Sequence, residues 1–215
     1  AVRHAVLLAL AALVAGFLAS MGPLPQVAEY HDFADQRLFL GIPNAMDVLS
    51  NLPFLVVGGL GLAYVLGSIP DAPGPRFRHR WELLGWGLVF ASVAGVAFGS
   101  SYYHLLPDNE RLVWDRVPIT LAFTVLFAMV LGERLGDRVA RVALVPFAVL
   151  GVASVFTWYR GALVGAGDLR PYAFVQAFPL LAIPLLIWKR PAVYSRSRDL
   201  LIALLLYFLA KVTAA

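Results

Sequence analysis

The chain alternates between long apolar runs and short polar segments. Each run is close to the roughly 20 residues that a helix needs to cross a bilayer. No low-complexity linker and no second class of composition interrupts the pattern. We therefore predict an all-α, polytopic transmembrane helix bundle that forms a single domain, 1–215. The seven predicted helices lie at about 5–20, 48–68, 82–104, 117–133, 140–160, 171–188 and 200–215.

The first apolar run has two interpretations. Arg3 and His4 precede it and it ends near Ser20, which is the layout of a secretory signal peptide. The same run also suits a retained first helix. We favour the retained helix, within 1–22, because the run is present in the chain.

Composition places the chain in a membrane. Of its residues 60% are hydrophobic and 14% are charged, and the mean hydropathy is +0.78. Soluble domains are about 45–50% apolar and about 25% charged. The chain has no cysteine, which excludes disulfide bonds and thiolate metal ligands.

The positive charges predict an orientation. The net charge is +4, but the basic residues lie in short loops between apolar runs, so nucleic acid is not an expected partner. Eleven of the seventeen Lys and Arg residues are Arg3 or lie in 69–80, 134–141 and 189–199. The positive-inside rule makes this side cytoplasmic, together with the N-terminus. The acidic loop at 23–47 is then extracytoplasmic.

Three side chains on that outer side suit hydrolytic chemistry. Ser100 and His104 are four residues apart, which places them on one helix face. Asp115 follows eleven residues later, and a turn at 107–109 can bring the two helix ends together. A neutral imidazole binds zinc, a carboxylate transfers protons, and a hydroxyl stabilises an oxyanion. The set therefore suits cleavage of an amide or ester.

Each of these residues also has a structural interpretation. His104 can be an interfacial or hydrogen-bonded histidine at a helix end. Ser100 can hydrogen-bond the backbone of its own helix. Asp115 can be the N-cap of the next helix.

A second polar cluster precedes the second predicted helix. Oxygen atoms of Asp32, Asp35 and Asn44 can hold a calcium ion. The alternative is a solvated loop in which Asn44 or Asp47 caps the helix.

Taken together, four motifs resemble the alkaline ceramidase family, including its bacterial alkaline phytoceramidase-like members, and more distantly the progestin/adipoQ receptors. The resemblance covers about residues 30–120. The motifs are Asp32-x-x-Asp35, Asn-x-x-Asp-x-x-Ser-Asn over 44–51, Ser100-x-x-x-His104 and Asp115-x-x-Pro118.

The resemblance implies a fold and roles for these residues. The family fold is a seven-helix bundle with zinc near one membrane face, here at 48–215, with 1–22 as an additional helix. Arg37 stands where the family can offer a neutral oxygen ligand to calcium. The implied roles are oxyanion support for Ser100, zinc binding for His104, proton transfer for Asp115, and calcium binding for Asp32, Asp35 and Asn44.

The implied zinc site is incomplete in this chain. The family takes its other two ligands from a His-x-x-x-His on its last helix. The four histidines here are His4, His31, His79 and His104, and no two of them form that pair. The run at 200–215 matches the family's penultimate helix, so the last family helix is missing. We expect that the native protein continues beyond residue 215; the alternative is a natural relative without zinc.

We therefore expect a zinc-dependent membrane hydrolase of sphingolipid metabolism that cleaves the amide bond of ceramide-like lipids. Its partners would be a membrane lipid substrate and the bilayer, with calcium as a second metal. By resemblance to bacterial members it would lie in a bacterial inner membrane, with its site facing the periplasm.

The alternative function is a non-catalytic, ceramidase-like subunit that packs against other membrane subunits in a larger complex. A receptor or transporter is a third, less favoured class. Tryptophans near the span ends, typical of membrane interfaces, fit the enzyme and the subunit equally. They are Trp81, Trp86, Trp114, Trp158 and Trp188.

Overall fold

The computed structural model describes residues 2–71, 73–74, 76–189 and 192–213, and within these ranges the predicted all-α fold is confirmed. The described residues form seven long helices, one short helix and one 3₁₀ turn, and no strand. The helices are α1 (Val2–Ser20), α2 (Ala45–Leu49), α3 (Leu52–Gly67), α4 (Arg80–Leu105), α5 (Asn109–Leu135), α6 (Asp137–Ala162), α7 (Arg170–Lys189) and α8 (Ser197–Thr213), and the 3₁₀ turn is Ala28–His31.

The molecule is a helical membrane bundle. Five segments among the described residues are long and apolar enough to span a bilayer. Helices satisfy their own backbone hydrogen bonds, as the bilayer interior requires. Large apolar side chains such as Leu8, Phe98 and Val142 lie exposed on the outer surface, where lipid tails can cover them. The five segments are Ala45–Gly67, Arg80–Leu105, Asn109–Leu135, Asp137–Ala162 and Arg170–Lys189.

Helix α5 lies at the centre of the bundle and has the most buried span. Short connections join it to α4 and α6, so these neighbours run antiparallel to it. The turn into α6 is the single residue Gly136, whose φ of 114° is unfavourable for other residues. Phe127 of α5 and Ile183 of α7 belong to one apolar core, against which Leu7 and Leu10 of α1 pack.

The bundle has two chemically different ends. We call the site end the one where α1 ends at Ser20, α4 ends at Leu105 and α5 begins at Asn109; the opposite end is the one where α4 begins at Arg80. The segment 21–44 covers the site end. One anchor is the backbone bond from Leu169 N to Leu24 O, at 2.8 Å.

One of the tryptophans near the span ends faces the interior of the bundle. Trp158, in the last turns of α6, is only 1% exposed, because α5 and α7 cover it. Trp114 and Trp188, in contrast, are largely exposed, as expected for aromatics at the edge of a membrane span.

Candidate functional site

The site begins where α4 and α5 touch. A Cβ atom at Gly99 would lie 2.0 Å from the carbonyl oxygen of Trp114 and 3.3 Å from the Cα of Asp115, so only glycine fits. This contact brings Ser100 and Asp115 onto adjoining backbone segments. Both side chains are buried, with 7% and 9% exposure. The predicted meeting of the two helix ends is therefore present.

Asp115 does not cap a helix, so that interpretation is wrong. Helix α5 begins at Asn109, eight residues before the predicted start at 117. Asp108 is the N-cap, and its carboxylate accepts a hydrogen bond of 2.7 Å from Arg111 N. Asp115 consequently lies in the second turn, inside the bundle, where an ionisable group needs another reason to be present.

His104 lies in the last turn of α4, and its Nδ1 atom is buried without a hydrogen-bond partner among the described residues. The nearest carboxylate contact is Asp47 Oδ2, 4.0 Å away. The ring of Phe33 packs against the imidazole at 4.5 Å between centroids. A fixed ring thus carries one nitrogen with an open position.

His31 comes into this site although its sequence position gave no motif. Its Nδ1 lies 2.9 Å from the hydroxyl of Tyr103, and its Nε2 lies 3.1 Å from Asn109 Oδ1. Because an amide oxygen only accepts, Nε2 carries the proton and Nδ1 accepts from Tyr103. With both nitrogens engaged, His31 ties the segment 21–44 to α4 and α5.

The described residues do not by themselves form a zinc site. His104 Nδ1 is a suitable nitrogen ligand, but no group of three or more His, Cys, Asp or Glu residues within the described ranges is arranged to hold a metal. His79 lies at the opposite end of α4, about 40 Å from His104 at the usual rise per residue. The side chain of His4 lies outside the described residues.

The expected calcium ligands are each engaged in separate contacts. Asp35 pairs with Arg37, and its Oδ2 accepts from Met46 N at 2.7 Å. The hydrogen bond from the Arg37 guanidinium holds the pKa of this carboxyl below its usual range. Asp32 accepts from the Gln36 side chain at 3.1 Å. Calcium binding stays a prediction from the resemblance.

Asn44 connects this segment to His104. It occupies the N-cap position of α2, with a left-handed φ of 47° and no capping hydrogen bond from its side chain. Its Nδ2 donates instead to the backbone oxygen of His104, at 2.8 Å. Asn44 thereby places Asp47, three residues later, next to the imidazole.

Arg116 is the main residue of the site that the sequence analysis missed. Only 3% of it is exposed. Its guanidinium lies 4.3 Å from the ring centroid of Trp158 and 4.7 Å from that of Tyr172. Its Nη2 donates to Gln26 Oε1, whereas its Nη1 is buried and has no hydrogen-bond partner in the part of the chain that the structure describes. The sequence could have indicated Arg116, because it is a charged residue inside an otherwise apolar helix.

An apolar cavity lies deeper in the bundle, among α1, α5, α6 and α7. Its volume is about 370 Å³. Thr124 is the one polar residue among those that line it. The apolar lining includes Leu7, Phe127, Phe147, Leu150, Phe174 and Phe178.

The chain has no match among protein-family models, curated proteins or solved structures. The function must therefore be argued from the site itself.

Proposed function

We propose that the protein is a zinc-dependent membrane hydrolase that cleaves the amide bond of a ceramide-like lipid. The observation that carries the proposal is the buried meeting of Ser100 and Asp115 at the α4–α5 contact, one turn from the open nitrogen of His104. Partly buried acid, imidazole and hydroxyl groups in one place are the usual components of acyl-transfer sites. The apolar cavity supports a lipid substrate.

The reaction divides among this chain's residues as follows. A water oxygen bonds to the amide carbonyl carbon while Asp115 takes the water proton. The Ser100 hydroxyl donates a hydrogen bond to the oxyanion that forms. The carbon–nitrogen bond then breaks, and the proton passes from Asp115 to the amine. The products are a fatty acid and a sphingoid base.

His104 has a different role from these two residues. We propose that its Nδ1 is one zinc ligand, to be completed by ligands that the described residues do not supply. We also propose that the protein lies in a bacterial inner membrane, with its N-terminus in the cytoplasm and the site end facing the periplasm. The excess of Lys and Arg in the loops of the opposite end supports this orientation.

The test is fatty-acid release from labelled ceramide by the purified product of the complete gene, together with its metal content. We expect His104→Ala to lose both bound zinc and activity. Asp115→Asn should keep the metal and lose activity by about 10²–10⁴-fold, the usual contribution of an acid–base group. His79→Ala is the matched control, since it removes a histidine from the far end of the same helix.

Unchanged activity and metal content in His104→Ala would contradict the proposal. A folded protein that releases no fatty acid and binds no metal would instead favour the non-catalytic subunit.

A further inference from the structure

The guanidinium of Arg116 packs against aromatic rings but is not fully hydrogen-bonded. It lies 4.3 Å from the ring centroid of Trp158, 4.7 Å from that of Tyr172 and 5.6 Å from that of Tyr30. Aromatic rings packed on a guanidinium leave the edge of its plane for in-plane acceptors. Nη2 donates to Gln26 Oε1, and Nη1 has no acceptor among the described residues. No ion pair within 4.0 Å involves Arg116 among the described residues.

A second buried donor beside Arg116 has no acceptor among the described residues. It is Trp158 Nε1, on the ring whose centroid lies 4.3 Å from the guanidinium. Buried donors are nearly always paired, because an unpaired one is costly. Two such donors at one buried cation indicate a missing acceptor with negative charge.

The apolar cavity lies on the same side of α5 as Arg116. Arg116, Thr120 and Thr124 follow each other at four-residue spacing on one helix face. Thr124 lines the cavity, about 12 Å along the helix from Arg116. Phe174, close to Tyr172 on α7, lines it as well. The charged position and the apolar cavity therefore lie on the same side of α5, within the reach of one long acyl chain.

We propose that Arg116 binds the carboxylate of a long-chain fatty acid whose acyl chain occupies this cavity. A carboxylate matches the planar donor edge of arginine, and an acyl chain matches the apolar lining. The inference rests on the proposed hydrolase function for the origin of the fatty acid. The binding itself requires neither metal nor turnover.

The experiment measures palmitate binding to the purified protein in neutral detergent with EDTA. Saturable binding is expected, and Arg116→Gln should weaken it at least about tenfold, as expected for a hydrogen-bonded charge. Arg160→Gln is the matched control, because Arg160 is an exposed arginine at the same end of the bundle. Its palmitate affinity should stay within about twofold, given the low energy of exposed charges.

A ligand series separates the charge from the chain. Hexadecanol, which keeps the chain without the carboxylate, should bind at least about tenfold more weakly than palmitate and be insensitive to Arg116→Gln. Equal affinities for the two ligands would overturn the proposal even if that variant fails to fold. Displacement of palmitate by inorganic phosphate, with the same dependence on Arg116, would also overturn it, since that outcome indicates a small-anion site.

The failures of the two proposals are distinguishable. Palmitate binding without ceramide cleavage contradicts only the hydrolase. If ceramide is cleaved but palmitate binding is unaffected by Arg116→Gln, only the proposed carboxylate site is contradicted.

Discussion

Glu82 at the opposite end of the bundle differs from His104 and Arg116 at the site end in how its polar atoms are satisfied. Glu82 is 5% exposed and accepts hydrogen bonds from Arg78 N at 2.7 Å, His79 N at 3.2 Å and the Tyr194 hydroxyl at 2.8 Å. His104 Nδ1 and Arg116 Nη1 are buried without a hydrogen-bond partner among the described residues.

This difference distinguishes a structural contact from a candidate ligand site. A buried carboxylate with three donors fastens the loop before α4 and the loop before α8 to the bundle, and it needs nothing else. Burial also raises the pKa of Tyr194 to about 12, so its hydroxyl keeps the proton that it donates to Glu82. Open positions on the buried Nδ1 of a partly buried imidazole and on a buried guanidinium, in contrast, are costly unless a ligand fills them.

The largest expected stability effect tests the architectural end. Glu82→Ala removes the acceptor of three donors and should lower the free energy of unfolding by about 3 kcal/mol. Denaturant unfolding in detergent measures this. Glu110→Ala, at an exposed carboxylate in the first turn of α5, is the control and should change it by less than about 1 kcal/mol.

If the folded Glu82→Ala protein keeps its palmitate affinity, the two ends act independently. If its free energy of unfolding is unchanged, the structural role of Glu82 is contradicted, because the opposite end would then not depend on this carboxylate.

An intermediate effect is expected at the helix contact of the site end. Gly99→Ala forces α4 away from the Trp114 carbonyl and should cost about 2 kcal/mol, with a loss of hydrolytic activity. Gly59→Ala is matched to it, because a Cβ there meets no atom within 4 Å. This control should stabilise the protein by up to about 1 kcal/mol, as alanine favours helix more than glycine. Thermal unfolding and ceramide release are the measurements; equal effects would contradict the assigned contact.

The smallest effect concerns Asp168, in the loop before α7. Its carboxylate accepts from the Arg170 side chain at 2.8 Å, from Arg170 N and from Leu24 N, and its pKa falls from 3.8 to about 2. A lowered folded-state pKa means that the stabilisation is complete above about pH 4 and is lost as the pH falls toward 2.

Asp168→Asn should therefore cost less than about 1 kcal/mol at pH 7, as for other partly exposed pairs. The cost should decrease as the pH falls from 4 through about 2, as measured by unfolding over a pH series. A difference from the unaltered protein that is as large at pH 2 as at pH 7 would show that Asp168 acts through something other than its charge.

Much of the fold was predictable because the bilayer imposes a simple rule. A membrane helix needs a long apolar run, and the seven runs correspond to α1 and α3–α8. The start of α5 was placed too late, at 117 instead of Asn109, because its first turns carry four charged residues within 110–116. Those turns are polar because they form the site, and their low hydropathy excluded them from the predicted membrane helix.

The candidate site was only partly predictable. The four-residue spacing of Ser100 and His104 fixes their common face, and the short turn fixes the approach of Asp115. The partners of Arg116 come from the segment 21–44, α6 and α7, and His31 reaches Tyr103 across 72 residues. No local pattern can indicate contacts of that range.

By itself the sequence determined a helical membrane bundle with its acidic and basic loops at different ends, since length, hydropathy and spacing act within each helix. Only the tertiary structure decided which buried charges are satisfied. Glu82, His104 and Arg116 are all ionisable residues in apolar surroundings, and the sequence does not distinguish them. Their hydrogen-bond partners come from distant segments, and that pairing separates a closed structural contact from an open candidate site.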